Sequence, residues 1–187
     1  MKSIKNSPLN KGKLLISQPL INDEFFHNSV VFLSELSEDG IVGFIVNKPL
    51  RMSIHNLIDN FPKFKTTIYY GGPVESDNLY FIHRVPNKIK GSIHITQDLY
   101  WGGDFDQIKN LIVKDELNSD EIRFFLGYSG WEENQLNEEI QSESWLVDEL
   151  NDSLFDWDLK KLWKERINQR GTDFQLWDNA PKDISLN

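Results

Sequence analysis

The chain has 187 residues, 39% of them hydrophobic, which is enough for one domain with an ordinary core. It contains no cysteine, so disulfides, thiolate metal ligands and cysteine nucleophiles are excluded. The 29 acidic and 20 basic residues give a formal net charge of −9 at pH 7, which disfavours direct binding to nucleic-acid phosphates and anionic membranes.

Residues 1–11 are polar and are expected to form a flexible N-terminal lead-in. No apolar segment follows the early lysines, so we expect no secretory signal. No stretch reaches the roughly 18 apolar residues that a membrane helix needs. We therefore expect a cytoplasmic protein with a single domain at residues 12–171 and a C-terminal tail at residues 172–187.

Apolar and β-branched runs between turn residues predict the strands. The clearest signal is a hairpin in which Glu38-Asp39-Gly40 joins two apolar runs. Gly43, inside the second run, indicates a bulge or close packing. The expected strands cover residues 13–18, 29–36, 41–46, 66–70, 79–83, 91–96, 121–126 and 145–147.

Helical spacing of apolar residues predicts four helices. Asp104 and Gln107 have the spacing of a capping box at the start of one of them. The last helix is expected to bury Leu162, Trp163 and Ile167. The expected helices cover residues 53–61, a segment after Asp104, residues 134–141, and a final segment from Asp156 or Asp158 to Gly171.

The order of these elements predicts an α+β fold, because early hairpins are followed by scattered helices that are too few for regular βαβ alternation. We expect a single compact domain with a mixed, mostly antiparallel, barrel-like sheet and several short flanking helices. Seven or eight short strands are enough to curl the sheet, but their pattern does not fix its closure.

A serine between glycines, in the run Gly127-Tyr128-Ser129-Gly130-Trp131, is the first candidate for catalysis. A nucleophile elbow needs glycine two residues after the serine, and Trp131 occupies that position. The pattern therefore favours a tight turn packed by Tyr128 and Trp131 over a catalytic serine.

Adjacent glycines in Gly71-Gly72-Pro73-Val74 form a second candidate, since such backbone can present N–H groups to an anion. Neither a Walker lysine–serine pair nor a GxGxxG pattern is present. We therefore favour a turn at the end of a strand, where only glycine fits.

The four histidines are His27, His55, His83 and His94, and none has the local spacing of a metal-binding motif. His83 and His94 fall on neighbouring predicted strands, so they form the one pair that the fold is expected to bring close. We expect no metal, no cofactor and no catalytic residue.

Acidic residues dominate the middle of the second half of the chain, which indicates a solvated face or a docking surface for a basic partner protein. They are Asp115, Glu116, Asp120, Glu121, Glu132, Glu133, Glu138, Glu139, Glu143, Asp148 and Glu149. The last helix carries the best basic patch, for which we favour solvation over nucleic-acid contact. It consists of Lys160, Lys161, Lys164, Arg166 and Arg170.

Several blocks, taken together and in order, resemble the YqgE/AlgH family of bacterial proteins. They are the segment 12–19 with Phe26, Ser29, Val30 and Val31, the segment 40–49, Gly71-Gly72-Pro73-Val74, Gly127-Tyr128-Ser129-Gly130-Trp131, Gln135-Leu136 with Glu138-Glu139-Ile140, and Ser144-Trp145-Leu146. The chain departs from the family at Glu132-Glu133-Asn134, where a Gly-Pro-Gly-like turn is usual. The resemblance implies a compact α+β domain and a family label of transcriptional regulator, without an established enzyme activity or catalytic residues to transfer.

We therefore expect a non-catalytic protein that acts through a protein partner or a small ligand, and that affects transcription only indirectly. The alternative is an enzyme or ligand sensor with a site where the glycine-rich loops meet. Its candidate ligand-binding residues are Asn47, Gly71, Gly72, Pro73, Gly127, Tyr128, Gly130 and Trp131. The sequence leaves the oligomeric state open.

Overall fold

The computed structural model describes residues 8–19, 21, 23–151, 154–155 and 159–169. Within these residues the chain forms nine strands, three α-helices and a short 3-10 helix at Ile54–Asn56. The strands are β1 (Leu14–Ser17), β2 (Val30–Ser37), β3 (Gly40–Ile45), β4 (Ile68–Tyr70), β5 (Val74–His83), β6 (Ile93–Thr96), β7 (Leu99–Trp101), β8 (Ile122–Trp131) and β9 (Trp145–Asp148). The helices are α1 (Phe105–Val113), α2 (Glu133–Gln141) and α3 (Leu159–Asn168).

The strands form one sheet in the order β6-β7-β5-β8-β3-β2-β1-β9, with β4 paired to β8 beside this path. The β4–β8 pair is parallel and the other pairs are antiparallel. The expectation of an α+β domain with a mixed, mostly antiparallel sheet is confirmed. β7 was not expected; the turn before it is made by Gln97 at φ +49° and Asp98, which is not a standard hairpin sequence.

The two ends of the sheet curl toward each other, which gives it a barrel-like shape. A Cβ added to Gly12 would lie 2.6 Å from Thr96, and Gln97 donates to the carbonyl oxygen of Leu150 at 3.4 Å. Within the described residues no ladder joins β6 to β9, so the closure is made by side chains and loops.

The hairpin at Glu38-Asp39-Gly40 forms as expected, with Ser37 opposite Gly40. Gly43 faces the neighbouring strand so closely that an added Cβ would lie 2.6 Å from the side chain of Val31. The hairpin is therefore specified locally by its turn and then held by close packing.

The expected tight turn at residues 127–131 is wrong, because β8 continues through this segment to Trp131. The side chains of Ser129 and Trp131 are buried, while Gly130 between them is exposed. This alternation is the period of a strand, and pairing with β3 extends β8 beyond the glycine.

The helix expected at residues 53–61 is reduced to the single 3-10 turn. Ser53 and Asn56 close a capping box around that turn, and Asn60 has a left-handed backbone with φ +57°. A helix cannot continue through that conformation, which explains why the helical spacing was misleading here.

α1 begins after Asp104 as expected, since the carboxylate of Asp104 accepts from the N–H groups of Asp106 and Gln107. The capping box is not completed, because the side chain of Gln107 instead accepts from the N–H of Lys90 at 2.8 Å. The expected limits of the last helix, Asp156 or Asp158 and Gly171, lie outside the described residues.

Buried side chains form three clusters, one on the face of the sheet covered by α3, one beneath α1, and one beside α2. Leu162, Trp163 and Ile167 of α3 are buried as expected. Of the expected N-terminal lead-in, residues 8–11 are described, and Leu9 packs against the cluster beside α2. The expected tail at residues 172–187 lies outside the described residues. No helix in the described part of the chain is long and apolar enough to span a membrane.

Candidate functional site

β8 changes neighbours at Gly127, and this position organises the predicted glycine site. Residues 124–126 of β8 pair with β4, and residues 129–131 pair with β3. Gly71 and Gly72 leave β4 at this point and cross the backbone of β8. A Cβ on Gly71 would lie 2.1 Å from the carbonyl oxygen of Gly127, and one on Gly72 would lie 2.3 Å from that of Tyr128.

The backbone groups at this crossing are already hydrogen-bonded. The N–H of Gly71 donates to Leu126, and its carbonyl oxygen accepts from the N–H of Ile45 at 2.9 Å and from the hydroxyl of Ser129 at 3.0 Å. The glycine loops therefore meet, but backbone fills the space that a ligand would need. This arrangement favours the interpretation that these positions require glycine for packing.

Ser129 is fully buried in β8, and its hydroxyl is engaged with Gly71. A nucleophilic serine needs a base within hydrogen-bond reach. The hydroxyl of Ser129 instead donates to the backbone of the crossing at Gly71.

Asn47 and Pro73 belong to the same predicted site but lie at its margins. The amide of Asn47 accepts from the N–H of Val30 at 2.9 Å and donates to the carbonyl oxygen of Asn28 at 2.8 Å. Asn28 has φ +53°, so Asn47 holds a strained turn at the start of β2. Pro73 is exposed just after the crossing.

Tyr128, Gly130 and Trp131 are the predicted site residues that line an open cleft. The cleft has a volume of about 220 Å³ and lies beside the tip of the β2–β3 hairpin. A second cleft of about 330 Å³ lies on the other side of the same tip. We call this region the hairpin-tip surface: Glu35, Leu36, Ser37, Glu38, Asp39, Gly40, Ile41 and Val42 of the hairpin, flanked by Leu9 and Asn137 on one side and by Tyr128, Gly130 and Trp131 on the other.

The hairpin-tip surface carries negative charge around a cleft whose floor is apolar. Glu35, Glu38 and Asp39 supply three carboxylates, and the described residues that line its two clefts include no lysine or arginine. Trp131 is 5% exposed, so its indole forms the floor of the cleft and not a projecting side chain.

The indole of Trp131 is fixed from below by Glu139 of α2. One carboxylate oxygen of Glu139 accepts from Nε1 of Trp131 at 3.0 Å and from Nε1 of Trp145 at 2.8 Å. Phe26 packs against both indoles, at 5.7 Å and 5.2 Å between ring centroids, and the two indoles meet edge to face at 5.9 Å. Gln135 donates to the other oxygen of Glu139, so the carboxylate is held on both sides.

Tyr128 is supported by a small polar cluster at the bulge in β5. Its ring meets that of Tyr80 edge to face, and the hydroxyl of Tyr80 donates to the carboxylate of Glu75. Burial and this hydrogen bond raise the pKa of Tyr80 to about 12. Hydrogen bonds from Tyr80 and Asn78 lower the pKa of Glu75. The phenol of Tyr80 is therefore neutral at physiological pH, and its ring packs against Tyr128.

A model of the AlgH-like family matches residues 14–175, which include the crossing, the β2–β3 hairpin and α2. The chain belongs to the AlgH-like family. A UPF0301 protein of Cytophaga hutchinsonii is 40% identical over 181 residues, which cover 96% of this chain and all of that relative. A UPF0301 protein of Bacteroides fragilis is 39% identical over 179 residues, covering 95% and 91% of the two chains.

Two solved structures share the fold of this AlgH-like chain. The solution structure of AlgH from Pseudomonas aeruginosa matches with a TM-score of 0.72 and 24% identity, covering 98% of this chain and 100% of that one. The crystal structure of a protein from Corynebacterium diphtheriae matches with a TM-score of 0.73 and 20% identity, covering 92% and 93%. The family resemblance inferred from the ordered blocks is confirmed.

The segment in which this AlgH-like chain departs from the expected family turn joins β8 directly to α2. Glu132 is the N-cap residue of α2, with an extended backbone and without a capping hydrogen bond from its side chain. The chain therefore passes from the end of β8 at Trp131 into α2 through a single residue, without a glycine turn.

The predicted histidine pair lies on either side of Tyr100. His83 stacks on the ring of Tyr100 at 6.1 Å, and His94 meets the same ring at 5.0 Å. The strand between the two histidines keeps their rings apart. Within the described residues no three histidine, aspartate or glutamate side chains come together as a metal site.

The basic patch of the last helix is smaller than the sequence indicated. Arg166 is 6% exposed, and its guanidinium lies 3.6 Å from the carboxylate of Asp148. Lys160, Lys161 and Lys164 are exposed, and Arg170 lies outside the described residues. The acidic residues do not all form one solvated face. Glu139 accepts hydrogen bonds from Trp131 and Trp145, and Glu149 is ion-paired with Lys13.

Sequence reasoning missed the partnership of Trp131, Glu139 and Trp145. Its three members lie in β8, α2 and β9, and no local spacing marks the contact. The available signal was that all three fall in blocks that resemble the family, which pointed to this part of the chain without indicating how the residues meet.

Proposed function

We propose that this AlgH-like protein is a non-catalytic binding protein of the cytoplasm, and that its hairpin-tip surface docks a basic segment of a partner protein. Any effect on transcription is then exerted through protein contacts. The observation that carries the proposal is the combination, on one surface, of three carboxylates with the apolar floor made by Tyr128 and Trp131.

The charges of this surface favour a cationic partner. Glu38 and Asp39 are exposed at the tip, and Glu35 lies partly buried beside Val42. Carboxylates arranged around a cleft without neighbouring cations attract lysine and arginine side chains and repel polyanions. The net charge of −9 acts in the same direction at long range.

The shape of this surface favours a peptide that straddles the hairpin. Two clefts share Ser37 and Ile41, so they are adjacent at the hairpin tip. Apolar side chains of a partner can enter the clefts while its basic side chains meet Glu38 and Asp39. Burial of apolar side chains would supply affinity, and the ion pairs would supply selection and speed of association.

The alternative of an enzyme or ligand sensor at the glycine loops has less support. Gly71, Gly72 and Gly127 are occupied with one another, and the hydroxyl of Ser129 is bonded to backbone. Tyr128 and Trp131 line one of the two clefts of the hairpin-tip surface. A ligand that stacks on Tyr128 and Trp131 would therefore use the same clefts as the proposed partner.

The test is binding of a fluorescently labelled peptide that alternates lysine and leucine, measured by anisotropy at near-physiological salt. We expect saturable binding that weakens about tenfold in the triple variant Glu35→Gln, Glu38→Gln, Asp39→Asn. Glu38 and Asp39 are exposed and neither has a positive φ, so we expect this variant to keep the fold. A peptide with glutamate in place of lysine is expected not to bind.

The matched control removes the same three charges elsewhere, as Asp59→Asn, Asp115→Asn and Glu116→Gln, all at exposed positions. We expect its affinity to stay within about twofold of the wild type, because distant charges are screened. Equal weakening in both triple variants would show that overall charge, and not the hairpin-tip surface, attracts the peptide. Tight, salt-sensitive binding to duplex DNA would contradict the indirect role in transcription.

A further inference from the structure

A cleft at the opposite end of β8 has a chemistry different from that of the hairpin-tip surface. It lies where β4 and β8 begin and has a volume of about 470 Å³. Its lining is rich in hydrogen-bond donors, and Asp120 is the single carboxylate among the described residues that line it. The lining consists of Lys65, Thr66, Thr67, Tyr69, Ser119, Asp120, Ile122, Arg123 and Phe155.

The positive charge at the base of this cleft is held rigidly. Nη1 of Arg123 donates to the hydroxyl of Tyr69 at 2.8 Å, and Nη2 donates to the carbonyl oxygen of Phe155 at 3.0 Å. The same guanidinium lies over both rings, 5.3 Å from that of Tyr69 and 5.4 Å from that of Phe155. A charge fixed in this way needs little reorganisation when a ligand arrives.

The guanidinium of Arg123 polarises the hydroxyl group of Tyr69, which lines the cleft. Its hydroxyl oxygen accepts from Arg123, so its own O–H is left to donate. A phenol polarised by a cation is a stronger donor toward an anion. Lys65, Thr67 and Ser119 are exposed beside it and add an ammonium and two hydroxyl groups.

We propose that this β4–β8 cleft binds a small phosphate monoester, with the phosphate held by Lys65, the hydroxyl of Tyr69 and the hydroxyl groups of Thr67 and Ser119. The exposed ammonium of Lys65 and the hydroxyl donors beside it favour an anion, and Asp120 is the single carboxylate among the described residues that line the cleft. The volume is within the range of clefts that hold small metabolites. Ile122 and Phe155 provide apolar wall for the organic part of the ligand.

The site is independent of the proposed protein docking at the hairpin-tip surface, because no residue lines both. Its experiment is titration of the whole protein with inorganic phosphate, ribose 5-phosphate and AMP, followed by backbone amide NMR. We expect saturable shifts concentrated at residues 65–69 and 119–123. The uncharged counterparts ribose and adenosine are expected to leave these amides unchanged.

Variants of two nearby lysines, Lys65 and Lys63, distinguish a specific contact with the phosphate from a general effect of net charge. Lys65→Gln is expected to weaken binding of ribose 5-phosphate about tenfold, since a charged hydrogen bond is lost. Lys63→Gln changes the net charge equally, but Lys63 does not line the cleft, and we expect affinity within about twofold of the wild type. Equal weakening by both variants would overturn the site.

The phenol is tested in the same way by a pair of neighbouring tyrosines. Tyr69→Phe keeps the ring that stacks on Arg123 and removes the donor, so we expect clearly weaker binding. Tyr70→Phe is the control, because Tyr70 does not line this cleft. Thermal unfolding without ligand establishes that each variant is folded. Absence of saturable shifts with all three phosphate-bearing probes, or shifts scattered over distant amides, would overturn the proposal.

Discussion

Gly71 and Gly127 approach so closely that a Cβ on Gly71 would lie 2.1 Å from the carbonyl oxygen of Gly127. The contact joins backbone to backbone, so no change of side-chain rotamer can relieve it. It lies where β8 exchanges β4 for β3 as its neighbour. Gly71 and Gly127, which belong to two of the blocks that resemble the family, are therefore required by the path of the sheet.

The first prediction is that Gly71→Ala lowers the free energy of unfolding by about 3 kcal/mol or more, because the new methyl group must displace backbone. Urea denaturation followed by tryptophan fluorescence measures the change. Gly130→Ala is the control, since its nearest neighbour is the ring of Tyr128 at 3.2 Å, which can rotate away. We expect Gly130→Ala to cost no more than about 1 kcal/mol. Similar urea midpoints for Gly71→Ala and the wild type would contradict the crossing.

The second prediction concerns the carboxylate shared by Trp131 and Trp145. Glu139→Ala leaves two indole N–H groups without their acceptor, at residues that are 5% and 1% exposed. We expect a loss of about 2–4 kcal/mol in the free energy of unfolding, because each unsatisfied buried donor costs about 1–3 kcal/mol. Urea denaturation gives the value.

Glu138→Ala is the matched control for this carboxylate, because Glu138 is an exposed neighbour in the same helix. It loses the same helix-compatible side chain without affecting either indole, so we expect a change within about 0.5 kcal/mol. Glu139→Gln retains an oxygen that can accept both N–H groups and is expected to fall between the two. If Glu138→Ala and Glu139→Ala are equally stable, the shared carboxylate does not stabilise the fold.

The third prediction concerns Asp23, whose negative charge raises the pKa values of both Lys48 and Tyr70. Partial burial lowers the pKa of Lys48, and the charge of Asp23 offsets part of that effect. Burial raises the pKa of Tyr70, and Asp23 raises it further. Asp23→Asn is therefore expected to lower both pKa values, because an ammonium loses its attraction and a phenolate loses its repulsion. NMR titration of methylated lysine and of the tyrosine ring carbon measures both.

The loop is expected to survive this substitution, because the asparagine oxygen can still accept from the N–H groups of Phe25 and Phe26, at 2.8 and 3.0 Å in the native chain. Glu24→Gln removes the same charge from the next, exposed position and is expected to leave both pKa values unchanged. A rise in the pKa of Lys48 in Asp23→Asn would contradict the assigned electrostatics.

The sequence was a good guide where structure is decided locally. Glu38-Asp39-Gly40 specifies its hairpin through turn geometry, and Asp104 specifies the start of α1 through hydrogen bonds to the next two N–H groups. The apolar spacing of α3 likewise identified Leu162 and Ile167 as buried. Each of these features depends on residues within a few positions of one another.

The features that the sequence did not reveal depend on distant partners. Gly127 was interpreted as a turn because its role depends on Gly71, which follows β4 and is distant in the sequence. Arg166 was assigned to a polar face because its partner, Asp148, lies in β9. The candidate site was identified only in part for the same reason: Tyr128 and Trp131 line an open cleft because the hairpin is adjacent to them.

The fourth prediction is that His83 makes the fold sensitive to acid. His83 is fully buried, and its Nδ1 accepts a hydrogen bond from the N–H of Val85 at 3.2 Å. The ring proton is therefore on Nε2. This atom lies 3.0 Å from the hydroxyl of Ser92 and 3.2 Å from the carbonyl oxygen of Gly102. Burial lowers the pKa of His83 below its usual 6.5. Protonation would also abolish the bond from Val85.

Because the folded pKa is lower than the unfolded one, the unfolded chain binds the proton first, and stability falls as the pH drops from about 6.5 toward the folded pKa. We expect His83→Gln to destabilise the protein above pH 7, since an amide reproduces the two hydrogen-bonding sides imperfectly. The difference from the wild type should shrink as the pH is lowered, because only the wild type has a histidine to protonate at this position. Urea denaturation of both proteins across this range measures the difference, in which the other titrating groups cancel. A difference that is constant or grows in acid would show that His83 is not held neutral by the fold.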